Sequence, residues 1–280
     1  MNHRCIRDTL VCRLGHWLCC LWITLFGVAV TSVAVAETEP RPPVRERLRI
    51  AYVEFPPYTY QNAAGQAAGS MIDITRKVVL EAGYQPEFIY LPISRVYLYL
   101  KNGQIDVWPG LTRIPTLDGE VLESWVSPMS TQLSVFYCPE KAAPLAHLDQ
   151  LRGKTVIVIA GYTYAGLINW LNASDDISTT EAPNHRAALN MLKRNRGHYL
   201  LDYRQPIQEI LSRPSARKVL ESEVRTRNTA WLFSLAHPRA AILRDEFDDA
   251  YLRLVEAGSV PPVRELSPGF VIPGFPEAYR

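Results

Sequence analysis

The chain has 280 residues, with 30 Lys and Arg against 28 Asp and Glu and a formal net charge of +2. Arg4, Arg7, Arg13 and Asp8 all fall in the first 36 residues, so the 244 that follow are formally neutral. Neutrality argues against nucleic acid or an anionic membrane surface as partner, and the length suffices for one large or two modest domains.

Residues 1–36 carry three arginines, then the apolar run Trp17–Val30, then Ala34-Val35-Ala36 before Glu37. Charge, apolar run and small-x-small site in that order predict a secretory signal peptide cleaved near Ala36, and hence a periplasmic protein. The alternative is an uncleaved anchor, for which the apolar run is short. Four of the five cysteines (Cys5, Cys12, Cys19 and Cys20) lie in this segment. Cys138 is then left alone, so no internal disulfide forms and the fold must rest on an ordinary core.

Residues 37–47 (ETEPRPPVRER) read as a flexible, proline-rich leader. Leu48–Tyr60 (LRIAYVEFPPYTY) starts as a buried strand and breaks at Pro56-Pro57 into an aromatic loop. Ser70 and Asp73 fit a capping box that opens a helix. Met71, Ile74, Val78 and Ala82 share one face of it, and Gly83 ends it. Phe88–Leu91 reads as a strand. A helix capped by Ser94 runs to Lys101, and a third strand, Ile105–Trp108, breaks at Pro109-Gly110. Strands and helices in alternation predict a parallel α/β sheet.

A second unit of the same kind follows. Thr155–Ala160 is a near-continuous apolar strand of the doubly covered type. Gly161–Gly166 turns it into a helix ending near Asn172, an amphipathic helix spans Asn184–Arg196, and Tyr199–Leu201 is the next strand. LYLKNGQIDVW and LNMLKRNRGHYLLD echo each other as helix, turn and strand. Ala230–Leu235 then forms a strand. Pro238 starts a helix to Ala257 with Leu243, Phe247, Tyr251 and Leu254 inward, stopped by Gly258 and Pro261-Pro262.

Strand, aromatic loop and helix together are how small-molecule sites open at the carboxyl ends of a parallel sheet. IAYVEFPPYTY, GSMIDI, LKNGQIDVWPGLT, LRGKTVIVIAGYTYAG and YLLDY, taken in that order, resemble the bacterial extracellular solute-binding proteins of family 3. The resemblance implies a two-lobed (type II, Venus-flytrap) α/β fold, each lobe a mostly parallel sheet flanked by helices. The chain would cross between lobes near Ser134–Cys138 and Glu223–Asn228. Lobe 1 would then take residues 48–135 and 226–280, and lobe 2 residues 136–225.

Carried over by position, the resemblance implies ligand contacts at Phe55, Ile93, Pro109, Gly110 and Thr112 in the first lobe. In the second lobe it implies Thr163, Tyr164 and Asp202, the last as partner of an ammonium group. An arginine expected shortly after Thr112 is replaced by Leu117. Either Arg113 takes over the carboxylate, so that Arg113 and Asp202 grip the two ends of a zwitterion, or the ligand lacks that carboxylate.

The residues themselves leave further alternatives open. Phe55 and Tyr58 read as cleft or as core aromatics. Thr163 reads as an anion contact at a helix amino terminus or as a plain cap. Arg95 reads as a solvated helix arginine or as a guanidinium for carboxylate or phosphate.

His147, His185, His198 and His237 show no metal-ligand spacing, and no nucleophile or phosphate-loop motif occurs. The expectation is therefore a monomeric periplasmic solute-binding protein, without cofactor or catalysis, that serves an ABC permease. The rivals are a sensor feeding a membrane receptor and a dehydratase-like enzyme on the same scaffold.

Overall fold

A computed structural model describes residues 46–212, 218–262 and 269–279. The expected signal segment and all but the end of the leader lie outside the described residues.

The first strand, β1 (Arg47–Tyr52), leads through the aromatic loop and a small hairpin, β2 (Tyr60–Gln61) and β3 (Ala67–Ala68), into helix α1 (Ser70–Glu81). Next come β4 (Gln85–Tyr90), α2 (Ile93–Lys101), β5 (Val107–Leu111) and β6 (Val121–Glu123). The middle of the chain supplies β7 (Ser130–Tyr137), β8 (Thr155–Ile159), α3 (Leu167–Ala173), β9 (Ser178–Ala182) and α4 (His185–Lys193). It closes with β10 (Tyr199–Tyr203), α5 (Arg204–Leu211), β11 (Leu220–Ser234) and α6 (Ala240–Glu256).

The main sheet runs β4-β1-β5-β11-β7-β10-β8-β9, with β6 also on β11. β4, β1 and β5 are parallel, as are β10, β8 and β9. β11 belongs to both groups: Leu220–Asn228 pair with β7, and Thr229–Phe233 pair with β5. The fold is thus the two-lobed α/β arrangement that the resemblance implied, its halves joined along β11.

Each half has apolar side chains on both faces. α1 and α6 cover one face of the first half, where Val78, Leu243, Phe247 and Tyr251 meet Leu48, Ile50, Trp231 and Phe233. α2 covers the other, with Val96 and Leu100 against Ala51, Trp108 and Leu232.

Several local expectations are corrected. The amino terminus of α1 is capped by backbone, not by Ser70 and Asp73. Ser70 N donates to Pro57 O (3.2 Å) and Met71 N to Tyr58 O (3.0 Å). Asp73 instead pairs with Arg76 at 3.0 Å. Gly69, at φ 116°, makes this docking feasible, because a Cβ there would collide with the Tyr58 carbonyl. Pro92, not Ser94, sits at the start of α2, its carbonyl accepting from Arg95 N and Val96 N.

The third strand does not break at Pro109-Gly110 but runs through it, with Pro109 opposite Trp231. β1 pairs with β5 only at Ile50–Val107, so the missing proline N–H lies past the end of that ladder. Leu133–Phe136, overlapping the crossing expected at Ser134–Cys138, already pair with β10 inside the second half. The partner change on β11 falls at Asn228–Thr229.

Candidate functional site

The loop after β1 folds back on itself. Phe55 N donates to Thr59 O (2.7 Å), Thr59 N to Phe55 O (3.1 Å), and the Thr59 hydroxyl to Val53 O (2.9 Å). This closure holds the Phe55 ring edge-on to Tyr203 at 5.3 Å and 6.0 Å from Tyr58. On β5, Trp108 and Gly110 are two residues apart and so point to the same face. A Cβ on Gly110 would come within 2.5 Å of the indole, so glycine is what leaves the Trp108 ring its place.

The second half contributes Tyr162, Thr163 and Tyr164, on the turn after β8. Tyr164 and Ala165 are left-handed there (φ 49° and 57°). The Tyr164 phenol anchors the turn by accepting from Ile159 N at 2.6 Å. Together these elements enclose a cavity walled by Phe55, Tyr97, Trp108, Tyr162, Tyr164 and Tyr203, with Arg227 and Thr229 of β11 also at its wall.

The halves touch around this cavity. His185 Nε2 lies 3.2 Å from Glu54 O, the Phe55 ring meets the Tyr203 ring, and Gly161 leaves room for the Ile93 side chain.

The charges are few and buried. Asp202 is fully buried, and its carboxylate accepts from His185 Nδ1 (2.8 Å) and from Tyr203 N (2.7 Å). Nδ1 of His185 faces the Asp202 carboxylate, and Nε2 faces both the Glu54 carbonyl (3.2 Å) and the Tyr162 hydroxyl (3.3 Å), an arrangement that favours the imidazolium. Burial alone disfavours that charge. The Asp202 carboxylate and the Glu54 carbonyl outweigh it and hold the His185 pKa above its ordinary value.

Arg227 is 4% exposed. Its Nη2 donates to the Thr112 carbonyl, while Nη1 is buried without a hydrogen-bond partner. Burial pulls its pKa down, and Arg113 adds like-charge repulsion. Burial likewise holds Tyr203 at about 12, so its phenol stays a neutral donor.

Of the residues expected at the site, Phe55, Tyr58, Ile93, Pro109, Gly110, Thr163 and Tyr164 line the cavity. Arg95, Thr112, Arg113 and Asp202 do not. Arg95 is exposed on α2. Thr112 lies just beyond the wall, its hydroxyl donating to Asn228 O at 3.3 Å. Arg113, left-handed at φ 53°, gives its backbone N–H to Glu123 and exposes its side chain to an outer groove.

The expected grip between Arg113 and Asp202 is therefore not formed, since one side chain faces outward and the other is spent on His185. Arg227, Tyr97, Tyr162, Tyr203 and His185 escaped the sequence reading. The only sequence hint of Arg227 was its place in Glu223–Asn228, expected as a crossing between lobes. Among the described residues no group of three or more His, Cys, Asp or Glu side chains could hold a metal ion.

The model of the bacterial extracellular solute-binding proteins, family 3, matches residues 48–258. No curated protein sequence matches. Among solved structures, an amino acid ABC transporter substrate-binding protein, AbpA, from Streptococcus pneumoniae bound to L-arginine is similar at TM-score 0.63 and 16% identity. That match covers 76% of this chain and 90% of the other. Holo ArgBP from T. maritima is similar at TM-score 0.63 and 16% identity, over 75% of this chain and 90% of that one. A histidine kinase sensor domain with similarity to periplasmic binding proteins matches at TM-score 0.63 and 19% identity, over 76% and 92%. At these identities the likeness is one of fold.

Proposed function

This chain belongs to the bacterial extracellular solute-binding proteins of family 3, and from that premise we propose that it captures a small organic solute between its halves. Delivery to an ABC permease completes the reading. The observation that carries it is the cavity walled from both sides, by Phe55 and Trp108 on one half and Tyr162 and Tyr164 on the other. A solute touching both walls gains contacts only when the halves are together, so binding and closure are linked.

In this reading the lobes exchange at Asn228–Thr229 of β11 and ahead of Ser130 of β7. Residues 1–36 direct export and are removed near Ala36. The mature protein then works as a periplasmic monomer, with the aromatic walls holding the solute by stacking and area burial.

The enzyme reading lacks a carboxylate at the cavity wall. Asp202 is buried against His185 and does not line the cavity, and Glu54 is exposed. A sensing role is supported by the likeness of fold to a kinase sensor domain and uses the same cleft. A permease gene beside this one favours import, and a kinase or cyclase gene favours sensing.

The test is a thermal-shift screen of amino acids, polyamines, opines and small carboxylates. A compound at a hundred times its Kd should stabilise the protein by about 2.7 kcal/mol. A set of compounds that leaves Tm unmoved throughout contradicts the reading.

A further inference from the structure

We infer that the solute is an anion, a carboxylate on an apolar body without an ammonium group, and that Arg227 binds it. The inference rests on the solute-binding reading and adds the charge class of the ligand.

Of the residues that line the cavity, Arg227 alone is charged. Its guanidinium is removed from water and, among the described residues, has no carboxylate within ion-pair distance. Glu123, the acid whose field reaches it, accepts the Arg113 backbone N–H instead. A buried cation left unpaired is costly, and an Nη1 without a hydrogen-bond partner adds to that cost. A ligand carboxylate removes both penalties, because the planar guanidinium presents paired donors that match its two oxygens. The neutral Tyr203 phenol sits at the same cavity as a further O–H donor.

An ammonium group finds the opposite. No acidic side chain lines the cavity. Asp202, where the family resemblance implies the ammonium contact, is fully buried and already hydrogen-bonded to His185. Recruiting it would break a buried pair. The rest of the wall is aromatic or aliphatic, suited to an aryl or alkyl body rather than a polar side chain.

Matched series test this with the mature protein: benzoate, phenylacetate, 3-phenylpropanoate and hexanoate, each beside its α-amino acid and its amine, together with the twenty protein amino acids. Thermal shift ranks them and calorimetry follows on the best. At least one carboxylate should bind while its amino-acid and amine counterparts bind ~30-fold more weakly or not at all.

Arg227→Gln should weaken that carboxylate by about 30-fold or more, and Arg227→Lys, which keeps the charge, should weaken it less. The ligand-free Tm of Arg227→Gln should stay level or rise, because an uncompensated buried charge has gone. An α-amino acid or amine that binds better than its carboxylate overturns the inference. So does wild-type carboxylate affinity in Arg227→Gln, which, joined to a lowered Tm, would make Arg227 a structural prop for Thr112. If no compound of any class binds, the solute-binding reading itself fails and the charge assignment falls with it.

Discussion

At the scale of residues, the charge arrangement turns on two buried groups that linear sequence does not connect. Asp202 was visible as an acid ending a strand. Its partner, His185, stands at the start of a helix after a different strand, and only the packing of α4 on β8 and β10 brings them together. Arg227 was hidden for a similar reason. A strand arginine usually points to solvent, and β11 reveals which side of Arg227 is enclosed only once β5, β7 and the turn after β8 surround it. Phe55, Tyr58 and Gly110 were easier, since each belongs to a strand end or its loop, where small-molecule sites form.

The buried pair makes a pH prediction. The folded-state pKa of His185 is raised above its ordinary 6.5. Its contribution to stability is therefore full below about 6.5 and is lost as pH rises through the raised value. Urea unfolding of the ligand-free protein should show stability falling on that alkaline side, and the fall should vanish in His185→Ala. That variant leaves Asp202 buried and unpaired and should lose about 3–5 kcal/mol. A pH profile identical in both proteins would show that the imidazolium does not stabilise the fold.

At the scale of elements, periodicity exposed those whose burial is one-sided or complete. α1, α2, α4 and α6 all show apolar stripes, and β8 is a continuous apolar run buried from Val156 to Ile159. The start of β11 was missed because Leu220–Asn228 reads LESEVRTRN, largely polar and only half-buried. That segment pairs with β7 on one side and meets only a short bridge, Arg225–Val271, on the other, so it lies near the edge of the second half. β9 was missed for the same lack of apolar pattern, and α5 because it is short and carries Pro206 in its first turn. The caps failed differently. Ser70 and Asp73 have the right spacing, but the carbonyls of Pro57 and Tyr58 already occupy the helix donors.

Gly69→Ala tests that backbone capping directly. The added Cβ meets the Tyr58 carbonyl at a φ that disfavours L side chains, so stability should fall by about 1–3 kcal/mol. An unchanged urea midpoint would mean that the loop can withdraw from α1 without cost. Within the first-half core, Phe247→Ala should cost about 3–5 kcal/mol, since the ring is fully buried against Trp231 and Phe233.

At the scale of the whole molecule, two similar α/β halves share a long strand and meet around an aromatic cavity. The repeated helix, turn and strand hinted at the two halves, while the exchange point on β11 depends on pairing that sequence alone does not display. Mass spectrometry of the exported protein should find an amino terminus at Glu37, and an intact terminus in a membrane fraction would contradict export with cleavage. The contacts between halves, His185 with Glu54, Phe55 with Tyr203 and Gly161 with Ile93, are those a hinge motion would open. Small-angle scattering with and without the strongest-binding solute tests that claim most directly. Saturating solute should lower the radius of gyration as the halves close, whereas confirmed binding with an unchanged radius would contradict capture by closure.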